Sequence, residues 1–332
     1  MRSVRAGTMT LGICILTLLL VCASLFVGPG RVSVFDVLSY LAGHGEGEHL
    51  ALVVGRLRLP RALAIIEVGA CLGIAGSLLQ SLTRNPLADT GLLGVNSGAG
   101  LGVVVGQLLA PSRPFGALAY SLAGACASGG VLLCLLRARR RPSSSVTVVL
   151  AGVGLAATLG GLTQLTLVMR PDMYDHYRWW ILGSLVGVEP DEAASMGLVA
   201  GLALAALAAL RGRVAVMGLD DETSLSLGYR PAVTRALVVG LITLCAATAV
   251  AIAGPLSFLG LIAAFAGRHL WPSEPHRQAV AAGAIGAGVL AASDIAARLV
   301  IPGYELSVGV VVALLGAPIL LWLARRPAGA RL

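Results

Sequence analysis

Side chains able to ionise, attack or ligate are sparse in this chain of 332 residues, which is 57% hydrophobic and 12% charged. Two carboxylates, Glu67 and Asp294, fall inside long apolar runs. A charge in hydrocarbon is costly, so an ionisable residue there is a functional candidate by default. Glu67 lies nine residues past Arg58, about 13 Å along a helix, where a proton-coupled carrier would want a carboxylate. Asp294 stands four residues before Arg298, and an ion pair on one helix face near the outer surface is the plainer expectation.

Other groupings promise less. His44, Glu46, Glu48 and His49 could be drawn as a metal site, but the glycines between them give no rigid geometry, and a solvated outer loop is expected. Gly152-Val153-Gly154 lacks the preceding strand and third glycine of a dinucleotide loop. All 24 basic residues are arginine, so the lysine of a phosphate-binding loop and the amine of a Schiff base are both missing. No enzyme, and no ATPase within this chain, is expected. Cys14, Cys22, Cys71, Cys126, Cys134 and Cys245 sit in apolar stretches without a CxxC pair and read as small core residues. The basic residues mark edges of apolar runs rather than one continuous face, which argues against nucleic acid.

The elements that position these residues follow from composition. With a mean hydropathy of +0.88, the chain has too little polar surface for a water-soluble fold. The apolar runs near the ~20 residues needed to cross a bilayer predict an all-α, polytopic protein forming one transmembrane domain over 1–332. Ten spans are expected: 9–27, 60–82, 92–109, 115–136, 146–169, 193–210, 232–253, 256–270, 279–297 and 306–323. Ten spans put both termini on one side. With these ends inside, sixteen arginines lie inside and eight outside, the cytoplasmic bias of membrane proteins. Trp179 and Trp180 fit an aromatic belt at the outer face. Gly98, Gly102 and Gly106 form a small-residue stripe on which another helix can approach closely.

One polar stretch stands apart, at 214–231. Asp220, Asp221, Glu222 and Thr223 open a short helix, Leu225 and Leu227 supply apolar contacts, and Gly228 stops it. An amphipathic helix on the inner face has little reason to exist unless something docks on it.

These stretches combine into a recognisable whole. Leu57-Arg58-Leu59-Pro60-Arg61, Gly69, Gly73, Gly76, Gln80, then Asn85-Pro86-Leu87-Ala88-Asp89 and Gly91-Leu92-Leu93-Gly94-Val95 with Gly98-Ala99 resemble the FecCD-type permeases of ABC importers for ferric siderophores, haem and cobalamin. The likeness runs on through Gly183-Ser184-Leu185, Gly218-Leu219, Gly254-Pro255, Phe258-Leu259-Gly260-Leu261-Ile262, Glu305-Leu306 and Gly316-Ala317-Pro318. It implies a ten-helix subunit of a bacterial inner-membrane importer, most commonly for ferric siderophores. Its partners would be a second permease copy or paralogue, a cytoplasmic ATPase dimer that holds ATP and magnesium, and an external solute-binding protein; the chain itself would carry no cofactor or metal.

Residue by residue, the resemblance makes Arg58 and Arg298 outward-facing contacts for acidic groups of the binding protein. It makes Leu219 to Gly228 the ATPase-coupling segment, Asn85, Pro86 and Asp89 a hinge on the cytoplasmic side, and Ser144 and Ser145 part of an inner gate. Ala264-Phe265 replaces the family's Pro-His pair, Ser307 replaces a proline after Glu305-Leu306, and Thr90 replaces a proline after Asp89. An ion-coupled carrier acting through Glu67 is the competing expectation.

Overall fold

The computed structural model describes residues 2–28, 32–44, 47–109, 114–138, 145–301 and 304–325. Helices and connecting turns account for them, with no strand among the described residues. The helices are α1 (Arg2–Ser24), α2 (Val34–Leu41), α3 (Glu48–Thr83), α4 (Val95–Leu109), α5 (Pro114–Ala138), α6 (Ser145–Met169), α7 (Tyr174–Ile181) and α8 (Pro190–Ala209). They continue with α9 (Arg211–Ala215), α10 (Asp221–Ser226), α11 (Pro231–Ala253), α12 (Leu259–Leu270), α13 (Pro275–Leu299) and α14 (Val308–Ala324). Seven are long and apolar enough to cross a membrane, namely α1, α3, α5, α6, α8, α11 and α13; α4, α12 and α14 are shorter apolar helices.

The expected second span starts earlier than Pro60. Its helix begins at Glu48 and passes through a π-helical stretch, Ala51–Arg58, before the regular turns of Leu59–Thr83. The wider π turns bring the Leu59 N–H to the Val54 carbonyl, five residues back. A proline lacks the N–H for the i−4 bond and crowds that carbonyl, so a π stretch just ahead of Pro60 lets the helix continue through it. The outer loop expected at 31–55 is correspondingly shorter, and part of it forms α2, whose Ser33 and Asp36 make a reciprocal capping box.

Helix α3 is the central pillar, with 78% of its apolar window buried. Lipid tails are as apolar as leucine, so helices in a membrane associate through close packing, and small residues make that possible. A Cβ on Gly69 would lie 2.4 Å from Ala287 Cα, one on Gly73 2.1 Å from the Ala282 carbonyl oxygen, and one on Gly76 2.4 Å from the Gly260 carbonyl oxygen. Backbone therefore meets backbone where α3 crosses α13 and α12. The Gly98, Gly102 and Gly106 stripe of α4 does the same against α5: Cβ atoms on the first two would sit 2.5 Å and 2.1 Å from the carbonyl oxygens of Gly124 and Tyr120. By contrast, only 6% of the α1 window is buried.

The expected span 256–270 is half a helix. α12 has 12 residues, about 18 Å, against a hydrocarbon core of about 30 Å. Gly254 to Phe258 form a non-helical run, in which Gly254 (φ 71°) and Phe258 (φ 67°) take positive φ. Irregular backbone at membrane depth is tolerated where protein satisfies it or where it lines a water-filled cavity. Both conditions have support here. The Ser184 N–H donates to the Ala253 carbonyl at 2.8 Å and the Asp89 carboxylate accepts the Phe258 N–H, while the Ser257 side chain is exposed. Ser307 uses the hydroxyl that a proline would lack to donate to the Leu182 carbonyl at 2.7 Å, fastening α14 to the same region.

Gly73→Leu tests the backbone contact. Its side chain would have to push α13 off α3, and overpacking of this kind typically costs about 1–3 kcal/mol. A lower unfolding temperature and a loss of monodisperse protein in detergent are expected, whereas Gly154→Leu, with nothing within 4 Å of its Cβ, should leave both unchanged. Equal behaviour of the two variants would contradict the packing described.

Candidate functional site: docking and coupling surfaces

At the end of α3 expected to face outward, the side chains read as separate features form one cluster. Arg61 donates through Nε and Nη2 to Asp294 Oδ1, at 3.0 and 2.8 Å, and through Nη1 to Glu305 Oε2 at 2.8 Å. Arg298 donates to the other oxygen of Asp294, so the expected i,i+4 pair is present. The Asp294 side chain is fully buried, and those of Arg298 and Arg61 are 3% and 11% exposed. A buried carboxylate between two guanidiniums is tolerable because its lone pairs are matched by N–H donors; removal of one partner would strand a charge. Sequence reasoning placed Arg61 only at the membrane edge and missed Glu305. The signal was available in the RLPR spacing, because Arg58 and Arg61 are three residues apart and share a helix face.

The structure corrects the exposure expected of Arg58 and Arg298. Arg58 is 6% exposed and donates to the Leu25 carbonyl at 2.8 Å and the Gly28 carbonyl at 3.4 Å. Arg298 donates to the Ser24 carbonyl at 3.0 Å and also to that of Val27. The physical reason is the last turn of α1. Helix C-termini leave carbonyls without intrahelical partners and carry negative partial charge, and two nearby guanidiniums satisfy both. A small cavity of about 160 Å³ opens beside the cluster, lined in part by Arg58, Arg61, Arg298 and Glu305.

At the other end of α3, the hinge and the polar segment meet. Arg84 ends the helix in left-handed conformation (φ 52°) and donates to the Leu219 carbonyl at 2.9 Å. Asn85 and Pro86 are exposed, and Asn85 Oδ1 accepts the Leu87 N–H. Asp89 caps the short 3-10 turn Thr90–Leu93 through the Gly91 N–H and also holds the Phe258 N–H at the start of α12. The hinge thus binds two other elements, which its sequence alone did not reveal.

The short helix expected at 220–227 forms as α10. The Asp220 carboxylate caps it, accepting the Thr223 N–H at 3.0 Å and hydroxyl at 2.7 Å, and these bonds hold its pKa below the usual carboxylate range. The cap therefore stays ionised near neutral pH. Gly228 ends the turn with φ 83°. Asp221 pairs with Arg235 of α11 at 2.5 Å, while Leu225 and Leu227 stay 57% and 56% exposed. An apolar pair on a helix clamped to both α3 and α11 presents a rigid surface to the inner side.

Two expectations find less. Glu67 faces Gly197 of α8, and its buried Oε2 has no hydrogen-bond partner among the described residues. Ser144 lies outside the described residues, and Ser145 is placed only as the first residue of α6. Arg58 and Arg298, expected to dock, and the segment 214–231, expected to couple, sit at opposite ends of the pillar and form no single site.

Comparison with known proteins bears on the whole chain. The FecCD transport family matches residues 16–326. The ferric enterobactin transport system permease protein FepD of Escherichia coli is 36% identical over 95% of this chain and 94% of its own length. The Fe(3+)-citrate import system permease protein YfmD of Bacillus subtilis is 32% identical over 91% and 90%. A solved metal-chelate type ABC transporter in an inward-facing conformation superposes with a TM-score of 0.82, at 22% identity, over 97% of this chain and all of that one. Its fold is the one described above. The ion-coupled carrier acting through Glu67 finds no support among these relatives. Shared fold, near-complete coverage and identities above 30% lead to one conclusion: the chain belongs to the FecCD transport family and is a multi-pass membrane permease.

Proposed function

We propose that the chain is the membrane-spanning permease subunit of an ATP-driven importer in a bacterial inner membrane, and that it carries a ferric siderophore delivered by an external solute-binding protein. Iron-chelate cargo is supported by the relatives at 36% and 32% identity, which are permeases for ferric enterobactin and ferric citrate. The chain works as one domain over 1–332, paired with a second permease copy or paralogue. It carries no cofactor, since ATP and magnesium belong to the partner ATPase. The observation that carries the energy source is α10, an exposed, capped, apolar-tipped helix tied by Arg84 and Asp221 to the two most buried helices. Closure of an ATPase dimer pushes this helix, and the ties pass the displacement to α3 and α11.

Docking at the outer face works by exchange. Arg58 and Arg298 now satisfy carbonyls at the end of α1, the least buried span. Carboxylates of the binding protein offer stronger, charge-assisted bonds to the same guanidiniums, so docking releases the end of α1 and takes its place.

Replacing Leu225 and Leu227 together by Glu tests the coupling surface. Both side chains are largely exposed, so folding should survive while co-purification with the ATPase and ATP-driven uptake fall at least tenfold; unchanged assembly would move the contact elsewhere. Arg58→Gln tests docking, because Arg58 pairs with no carboxylate among the described residues, so glutamine removes its charge without stranding another and keeps a donor for the α1 carbonyls. Affinity for the binding protein should fall by about tenfold or more at low salt, with a shallower salt dependence. Unchanged affinity would leave Arg58 as an anchor of α1 only.

A further inference from the structure

An outer cavity of about 330 Å³ lies between α7 and the break that separates α11 from α12. His176, Trp179, Trp180, Ser184 and Gly254 are among the residues lining it, and no carboxylate is. Its size is near the lower end of small-molecule sites, which run from ~300 to ~1,000 Å³. Three features set these aromatics apart from a belt of interfacial tryptophans, whose N–H groups normally reach headgroups or water. The Trp180 Nε1 is buried and has no hydrogen-bond partner. Trp179 is 59% exposed. The wall beneath them is the non-helical run from Gly254, continuing to the exposed Ser257, the kind of backbone found at membrane depth beside a water-filled route.

Two polar side chains reach the wall. His176 presents an exposed imidazole. The Ser184 oxygen already accepts the Val186 N–H at 3.1 Å, which leaves its hydroxyl proton to donate. A hydroxyl donor beside an exposed indole suits a planar aromatic ligand with oxygen acceptors. Given the importer reading above, on which this rests, we propose that the cavity is a staging site for one aromatic ring of a catecholate-type ferric chelate, stacked on Trp179 and hydrogen-bonded by Ser184, before the chelate passes along Ser257.

The test uses the full chain in nanodiscs with two radiolabelled probes, a ferric tricatecholate and a ferric trihydroxamate, the second having oxygen donors without aromatic rings. Binding is measured by rapid filtration, and uptake of the same probes by the complete transporter with its ATPase and binding protein. Trp179→Ala should weaken tricatecholate binding by about 2- to 10-fold, the range of one lost aromatic pair, and leave trihydroxamate binding unchanged. Trp179→Phe should restore most of the loss, and an unchanged unfolding temperature would rule out misfolding. Equal loss for both probes, or no loss, overturns the staging site even where ATP-driven uptake of the tricatecholate persists, and the importer reading then stands. Uptake of neither probe, nor of any other ferric chelate, overturns both.

Discussion

Backbone contact between α3 and its neighbours is the constraint on which the rest of the structure depends. Lipid gives two apolar helices no hydrophobic reason to associate. Here Gly69, Gly73 and Gly76 let α3 touch the backbones of α13 and α12, where any side chain would collide. The segment from Arg58 to Arg84 thereby becomes a stiff rod of about 39 Å, long enough to join the two membrane faces. The outer guanidiniums stand at one end and the arginine that holds the coupling segment at the other.

Such a rod gives the charged cluster its meaning. Arg61, Asp294, Arg298 and Glu305 come from three different parts of the chain, and their mutual bonds lock the outer ends of α3, α13 and the approach to α14 into one geometry. Arg58 and Arg298 then extend that cluster to the carbonyls of α1. Breaking this last contact costs less than breaking the cluster, because carbonyl bonds can be exchanged for carboxylate bonds without stranding a charge. On the docking proposed above, α1 moves and the pillar stays intact. The half-helix α12 supplies the other irregular element, since its missing turns leave extended backbone and the exposed Ser257 beside the outer cavity.

Much of this was legible in the amino-acid order, and the limits have physical causes. Apolar run length gave seven of the expected spans as helices long enough to cross a membrane, because the bilayer imposes it, while 92–109, 256–270 and 306–323 form shorter helices. The α10 cap and stop could be read from Asp220, Thr223 and Gly228, because capping is local. The glycine stripe of α4 predicted its close approach to α5. The π stretch before Pro60 was missed, because proline tells where a helix is stressed and not how it yields. Arg58 and Arg298 were expected at the surface, because nothing in their neighbourhood in sequence shows that the end of α1 folds over them. Glu305 and the reach of Arg84 to Leu219 depend on contacts between residues 244 and 135 positions apart, which no local pattern encodes.

The central claim is that movement of this bundle is driven by ATP through α10 and not by an ion through Glu67. The most direct measurement is uptake of a ferric chelate into proteoliposomes holding the permease and its ATPase, with binding protein outside. ATP enclosed within should drive uptake that a protonophore leaves unchanged and that Glu67→Gln retains. Uptake driven by a proton gradient without ATP, and abolished by Glu67→Gln, would contradict the account.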